Sequence, residues 1–200
     1  MPGPQQQQQP VSSIDGIGNA LSWILFAARS LAVTVEVFLH RSDSFGERYF
    51  GFQAAAGFLL ILLYPLFWQE HDVSGVLLFL GAYLLMLLWA RVRTALRVRR
   101  GGGQPHTRYS GRPGLLRISR RLSERFAKCC LEPLIVFLSG PPVMAWSEPL
   151  GGYLMLAGLG LFISTNAAAG YEGRRAADMH DAFIEQRSLA EEFRRMRGDR

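Results

Sequence analysis

The sequence predicts an all-α, polytopic membrane protein, and the first observation behind this prediction is where the apolar residues lie. They make up 49% of the 200 residues and occur in blocks, with most charged residues between the blocks. Two blocks, Gly51–Trp68 and Val73–Ala90, each contain 18 residues without a charge. A helix of that length crosses about 27 Å, so these blocks are predicted to form a transmembrane hairpin.

The second observation is the basic loop that follows the hairpin. Residues Arg91–Lys128 hold twelve of the 22 Lys and Arg residues and a single acid, Glu124. Short loops rich in Lys and Arg stay on the cytoplasmic side during insertion, which orients the chain. The spacing of apolar residues predicts a basic amphipathic helix over Leu115–Ala127. We expect contacts to anionic lipid headgroups or phosphate from Arg97, Arg99, Arg100, Arg117, Arg120, Arg121 and Arg125.

The third observation is the apolar segment Ala20–Leu39, which Asp15 or Asn19 is expected to cap. Asp15, Ser22, Arg29 and Glu36 recur every seven residues and form a narrow polar stripe. Such a helix either lies in the membrane interface or crosses with its stripe against protein, and the sequence favours the interfacial placement. Arg29 and Glu36 are two turns apart, which predicts that they are too distant for a close ion pair.

The second half of the chain predicts another hairpin. In Cys129–Trp146, Pro133 is expected to kink or restart the helix and Gly140-Pro141-Pro142 to break it, so the segment either crosses as a kinked span or is re-entrant. Pro149–Gly170 is an uncharged span, and Asn166 is expected to bond across a helix interface. Its small residues are predicted to form a helix-packing face: Ala157, Gly160, Ser164 and Ala168.

The C-terminal segment Tyr171–Arg200 is predicted to form a charged helix with an apolar stripe in a three–four pattern. The stripe is expected to dock onto the loop helix of this chain or onto a partner, because three heptads are marginal for an independent coiled coil. Its members are Met179, Ala182, Gln186, Leu189, Phe193 and Met196.

The predicted topology has four spans, with both the basic loop and the C-terminus in the cytoplasm of a cell with an inner membrane. Arg174 and Arg175 after the last span favour this side. A re-entrant Cys129–Trp146 would leave three spans and put the C-terminus outside. The domain boundaries follow: a disordered tail (1–14), an apolar helix and connector (15–50), the first hairpin (51–90), the basic loop (91–128), the second hairpin (129–170) and the charged helix (171–200).

The sequence contains no phosphate-binding, metalloprotease or nucleophile-elbow motif, so neither an enzyme nor a cofactor is predicted. His40, Asp43 and Glu47 are suitable metal ligands, but a solvated connector is the preferred interpretation. The intramembrane polar candidates are Arg29, Glu36, Glu132 and Asn166.

These features favour an integral membrane subunit or scaffold that assembles with other membrane proteins or with its own copies, on a bilayer with anionic headgroups. The alternative is a small transporter or channel subunit that depends on Glu132 beside a helix break. A lipid-modifying enzyme that uses the turn His106–Tyr109 ranks below both. Nucleic acid is not an expected partner, since the arginines have a sufficient role in topology and lipid binding.

Overall fold

The computed structural model describes residues 13–41, 45, 51–100, 111, 113–117 and 123–198. About 89% of these residues are helical and none lies in a strand. Residues 1–12 of the predicted disordered tail (1–14) lie outside this part of the chain, whereas residues 13 and 14 are helical. The all-α prediction is therefore confirmed for the described residues.

The first helix, α1, covers Ser13–Leu39 and is longer than predicted. Asp15 and Asn19, expected as capping residues, both lie inside it. Its second half is buried, because α1 packs against three later helices: α2 (Phe52–Leu63), α3 (Ser74–Arg99) and α6 (Glu148–Gly198). The Thr34 hydroxyl accepts a hydrogen bond from Tyr153 of α6 at 2.9 Å, which joins the two helices inside the core.

The predicted span Gly51–Trp68 is divided in two. An α-helix, α2, covers Phe52–Leu63, and a 3₁₀ turn follows at Tyr64–Phe67. Pro65 lies in the first turn of the 3₁₀ segment, where its missing N–H and fixed φ suit a new helix start. The apolar helix Phe52–Phe67 is consequently shorter than the long helices of the fold.

Helix α3 covers Ser74–Arg99 and begins at a turn that Asp72 organises. The Asp72 carboxylate accepts the Ser74 backbone N–H at 2.9 Å and the Ser74 hydroxyl at 2.7 Å. These hydrogen bonds favour the ionised carboxyl, so the pKa of Asp72 lies below its usual range.

The predicted loop helix Leu115–Ala127 is not one helix. A 3₁₀ turn covers Gly114–Arg117, residues 118–122 lie outside the described chain, and Ser123 has an extended backbone. Ser123 instead caps a new helix, α4 (Glu124–Phe126), by accepting the Phe126 N–H at 3.2 Å.

Helix α4 continues through a π-helical turn, Ala127–Leu131, into α5, Glu132–Met144. The expected break at Gly140-Pro141-Pro142 is wrong, since the helix ends only after Met144. Pro133 lies in the first turn of α5, directly after the wider π turn. Pro141 and Pro142 lie near the end of α5 and do not stop the helix. Together these parts form one 21-residue helical stretch, Glu124–Met144.

The last helix, α6, covers Glu148–Gly198 without interruption. The sequence boundary at Gly170 is therefore not a structural boundary. Two glycines bring α5 and α6 into close backbone contact: a Cβ on Gly140 would lie 2.9 Å from Gly151 O, and one on Gly158 would lie 2.8 Å from Phe137 N. Such small residues let helices approach closely.

Within the described residues, four helices are long and apolar enough to cross a membrane: Gly18–Leu39, Ser74–Arg99, Glu124–Met144 and Glu148–Gly198. They are compatible with a multi-pass membrane protein. The set differs from the predicted one, because α1 belongs to it and the divided segment Gly51–Trp68 does not.

The turn before α3 and the turn before α6 meet at one end of the bundle, which is acidic. His71 Nε2 lies 3.1 Å from Glu148 Oε2, and a Cβ on Gly75 would lie 2.7 Å from Ser147 Cβ. The turn before α3 and the turn before α6 are thus neighbours. Glu70 joins Glu148 among the acids of these turns.

The opposite end of the bundle is basic. His40 Nε2 lies 2.8 Å from Glu132 Oε2, which places the end of α1 beside the start of α5. Arg97, near the end of α3, donates a hydrogen bond to Phe45 O at 2.9 Å. The arginines of α3 and the residues Arg125 and Lys128 belong to this end.

Candidate functional site

A row of ionisable side chains lies along one face of α1 and ends at His40, the residue that follows this helix. Arg29, Glu36 and His40 are separated by seven and four residues, spacings that place them on the same face. Arg29 Nη1 lies 2.8 Å from Glu36 Oε1, and the Glu36 side chain is 1% exposed. The prediction that this pair is too distant is wrong, because the long Arg29 side chain extends along the helix axis over a rise of about 10 Å.

The row continues onto α5 through a second buried pair. His40 Nε2 and Glu132 Oε2 are 2.8 Å apart, and their side chains are 1% and 0% exposed. This contact assigns His40 to the interior, whereas the sequence suggested a solvated connector. Asp43 and Glu47, its expected neighbours in a metal cluster, lie outside the described residues.

Each buried carboxylate has one oxygen that no described residue satisfies. These atoms are Glu36 Oε2 and Glu132 Oε1. A buried acceptor without a hydrogen bond costs about 1–3 kcal/mol, so packing alone does not favour such groups. Buried ionisable groups of this kind in apolar helices typically have a function.

The small residues of α6 bring this helix against the row. A Cβ on Gly160 would lie 3.0 Å from Ala28 O, and Ser164 Oγ lies 3.4 Å from Arg29 Nη1. Ala157 is buried, whereas Ala168 is exposed and lines the groove described below. Three of the four predicted packing residues thus lie in the interior.

Asn166 joins α6 to the π turn. Its Nδ2 donates to Cys129 O at 3.2 Å and to Phe162 O at 2.8 Å. The first bond crosses the helix interface, and the second lies within α6. The Cys129 carbonyl belongs to the π turn, so it does not follow the regular α-helical hydrogen-bond pattern and can accept the bond from Asn166.

A groove of about 1620 Å³ opens beside the row, between α1, the start of α2, the α4 region and α6. Arg29, Glu36 and His40 lie at its polar side, and Leu25, Phe26 and Phe52 form apolar walls. Charged residues surround it toward the basic end of the bundle: Glu124, Arg125, Lys128, Glu172 and Arg175.

The predicted lipid-contacting arginines fall into three groups. Arg97 contacts Phe45 O within the chain, while Arg99, Arg100 and Arg125 are exposed. The Arg117 side chain, Arg120 and Arg121 lie outside what the structure describes.

The sequence interpretation missed His40 as a member of the row, although one signal was present. His40 follows Glu36 by four residues, so it continues the same face by one helical turn. Its partner Glu132 is distant in sequence, and no local pattern joins them.

The chemistry of this arrangement is charge pairing inside an apolar bundle. In the described part of the chain, no three His, Cys, Asp or Glu side chains lie together as a metal site. Each of the two pairs joins a guanidinium or an imidazole to a carboxylate that has one oxygen without a hydrogen bond from a described residue, and such an oxygen can accept a hydrogen bond from a polar group.

Comparisons with protein-family models, curated proteins and solved structures find no match for this chain.

Proposed function

We propose that this chain is a multi-pass membrane subunit that assembles with other membrane proteins and recruits partners through the projecting part of α6. The observation that carries the proposal is the exposure of α6 beyond the bundle. Every residue from 171 to 198, here named the α6 tail, is exposed. The α6 tail is about 42 Å long at 1.5 Å per residue.

The apolar side chains of the α6 tail are the reason to expect a partner. Met179, Phe183, Leu189, Phe193 and Met196 are between 48% and 67% exposed. Large apolar groups in a row on a solvated helix cost free energy until another surface covers them. A protein partner that offers an apolar face is the simplest means of covering them.

The proposed placement puts the α6 tail on the same side as the basic loop, in the cytoplasm of a cell with an inner membrane. Glu124–Met144 and the first part of α6 form an antiparallel pair, so two crossings return the chain to the side it left. The basic end of the bundle, with Arg174 and Arg175 just beyond it, supports this orientation. We propose that α1 also crosses, since its ionic row faces protein.

Paired reporter fusions after Arg200 and within residues 101–103 test the orientation. We expect cytoplasmic activity from both. Periplasmic activity at Arg200 with cytoplasmic activity in the loop would overturn it.

Affinity purification in mild detergent tests the assembly itself. We expect the full chain to be recovered in a larger complex than a chain that ends at Gly170. Recovery of both chains as monodisperse monomers would contradict the proposed function.

A second candidate, a small transporter or channel subunit, is favoured by the ionic row and the adjoining groove. If it conducts protons or small ions, Glu132→Gln should lower flux in proteoliposomes, because Glu132 holds a spare carboxylate oxygen in the interior. Glu148→Gln is the matched control, since the Glu148 side chain is 57% exposed at the acidic end. Equal flux in all three proteins would remove this candidate.

A further inference from the structure

We propose that the α6 tail forms a parallel, two-stranded coiled coil with a second copy of this chain. The inference rests on the proposed function, because it names the partner of the same α6 tail. Three properties of the tail carry it: its register, its flanking charges and its attachment to a membrane bundle.

The register follows from spacings of three and four residues along an exposed helix. Met179, Gln186 and Phe193 take the a positions of three heptads, and Ala182, Leu189 and Met196 take the d positions. All six lie in one uninterrupted helix and all six are exposed, so the complete seam is available for a partner.

The flanking charges select the parallel orientation. In this register, Asp178, Glu185 and Glu192 occupy the g positions, and Arg197 occupies an e position. A parallel pair places Glu192 beside Arg197 of the other copy and brings no two like charges together at the g and e positions. An antiparallel pair would instead place the acidic g residues opposite one another, which costs free energy.

A coiled coil of three heptads is only marginally stable by itself, and attachment to the membrane bundle strengthens its pairing. Two copies inserted by the same rule have the same orientation, so their tails project in the same direction and in register. Confinement to one bilayer raises the effective concentration of one tail around the other, which strengthens weak pairing without any new contact. The polar Gln186 at the central a position costs stability but favours a single register.

Disulfide cross-linking in the membrane tests the pairing. The full chain carries Cys129→Ser and Cys130→Ser, with one new cysteine at either Met196→Cys or Glu191→Cys. Position 196 is in the seam, whereas position 191 is an f position on the outer face. Under mild oxidation in proteoliposomes we expect roughly tenfold more cross-linked dimer from Met196→Cys, because only seam positions bring two Cβ atoms within disulfide range.

Two surface substitutions provide a matched control for the seam. Leu189 and Ile184 are similarly exposed, at 48% and 53%, but Leu189 is a d residue and Ile184 an f residue. We expect Leu189→Glu to abolish the Met196→Cys cross-link and Ile184→Glu to preserve it. Equal cross-linking at positions 191 and 196, or equal sensitivity to both glutamates, would overturn the coiled coil.

Failure of this inference is distinguishable from failure of the proposed function. If deletion of the α6 tail removes a companion of different sequence and Met196→Cys forms no dimer, the coiled coil is wrong and the subunit function stands. If deletion changes neither the size nor the composition of the purified particle, both are wrong.

Discussion

The two halves of α6 share one continuous helix but have opposite surroundings. The first half contains nine buried residues between Pro149 and Ser164, whereas the α6 tail contains none. Small uncharged residues predominate in the first half, and charged residues alternate with large apolar ones in the second. A continuous helix can therefore pack against the bundle along one half and be exposed along the other.

The difference also shows what each half needs for stability. Tertiary packing provides most of the stability of helices in proteins, and the first half receives it from α1 and α5. In the α6 tail, the contacts shown are local, such as Arg187 Nε to Glu191 Oε1 at 3.3 Å. An exposed helix of this length is expected to gain stability from a partner.

The largest expected effect contrasts a buried ion pair with an exposed one. Glu132→Ala removes one partner of the buried His40 pair and should destabilise the protein by about 3–5 kcal/mol. Glu191→Ala removes an exposed i,i+4 pair in the α6 tail and should cost under about 0.5 kcal/mol. Thermal unfolding of the detergent-solubilised protein measures both.

Glu132→Gln serves as the isosteric control, because it keeps a hydrogen-bonding group beside His40. Its loss of stability should be smaller than that of Glu132→Ala. Equal losses from Glu132→Ala and Glu191→Ala would show that the His40 pair is not buried as described.

The same substitution should have opposite signs in the two halves of α6. Gly158→Ala places a Cβ 2.8 Å from Phe137 N and 2.9 Å from its Cα, so the α5 backbone must shift, at about 1–3 kcal/mol. Gly173→Ala meets nothing within 4 Å and should stabilise the helix by about 0.5–1 kcal/mol. Unfolding midpoints that move in the same direction would contradict the contrast.

The smallest expected effect concerns the water-exposed start of α3. The lowered pKa of Asp72 means that its hydrogen bonds to Ser74 stabilise the folded state fully above the unfolded pKa of about 4. This contribution is lost as the pH falls through the lower folded pKa. The stability difference between wild type and Asp72→Asn should therefore be constant near neutral pH and shrink under acid; a difference that grows under acid would contradict this account.

Local patterns predicted the helical class and the small-residue face that contains Gly160. They did not predict contacts that depend on residues far apart in sequence, such as His40 with Glu132. The seven-residue spacing also gave a wrong prediction for Arg29 and Glu36, because it does not account for the length of the Arg29 side chain. The division of the predicted span Gly51–Trp68 depends on where Pro65 lies relative to a helix start, which hydropathy does not report.

The central claim is that α6 leaves an apolar environment and enters water without interrupting its helix. Two isoleucines on its surface provide a direct test, since Ile163 is 41% exposed in the bundle half and Ile184 is 53% exposed in the α6 tail. Single variants Ile163→Cys and Ile184→Cys, made with Cys129→Ser and Cys130→Ser, are treated with a polar maleimide in open membrane fragments. We expect rapid labelling at position 184 and little at position 163, because lipid excludes the reagent and suppresses the thiolate. Equal labelling at the two positions would contradict the account.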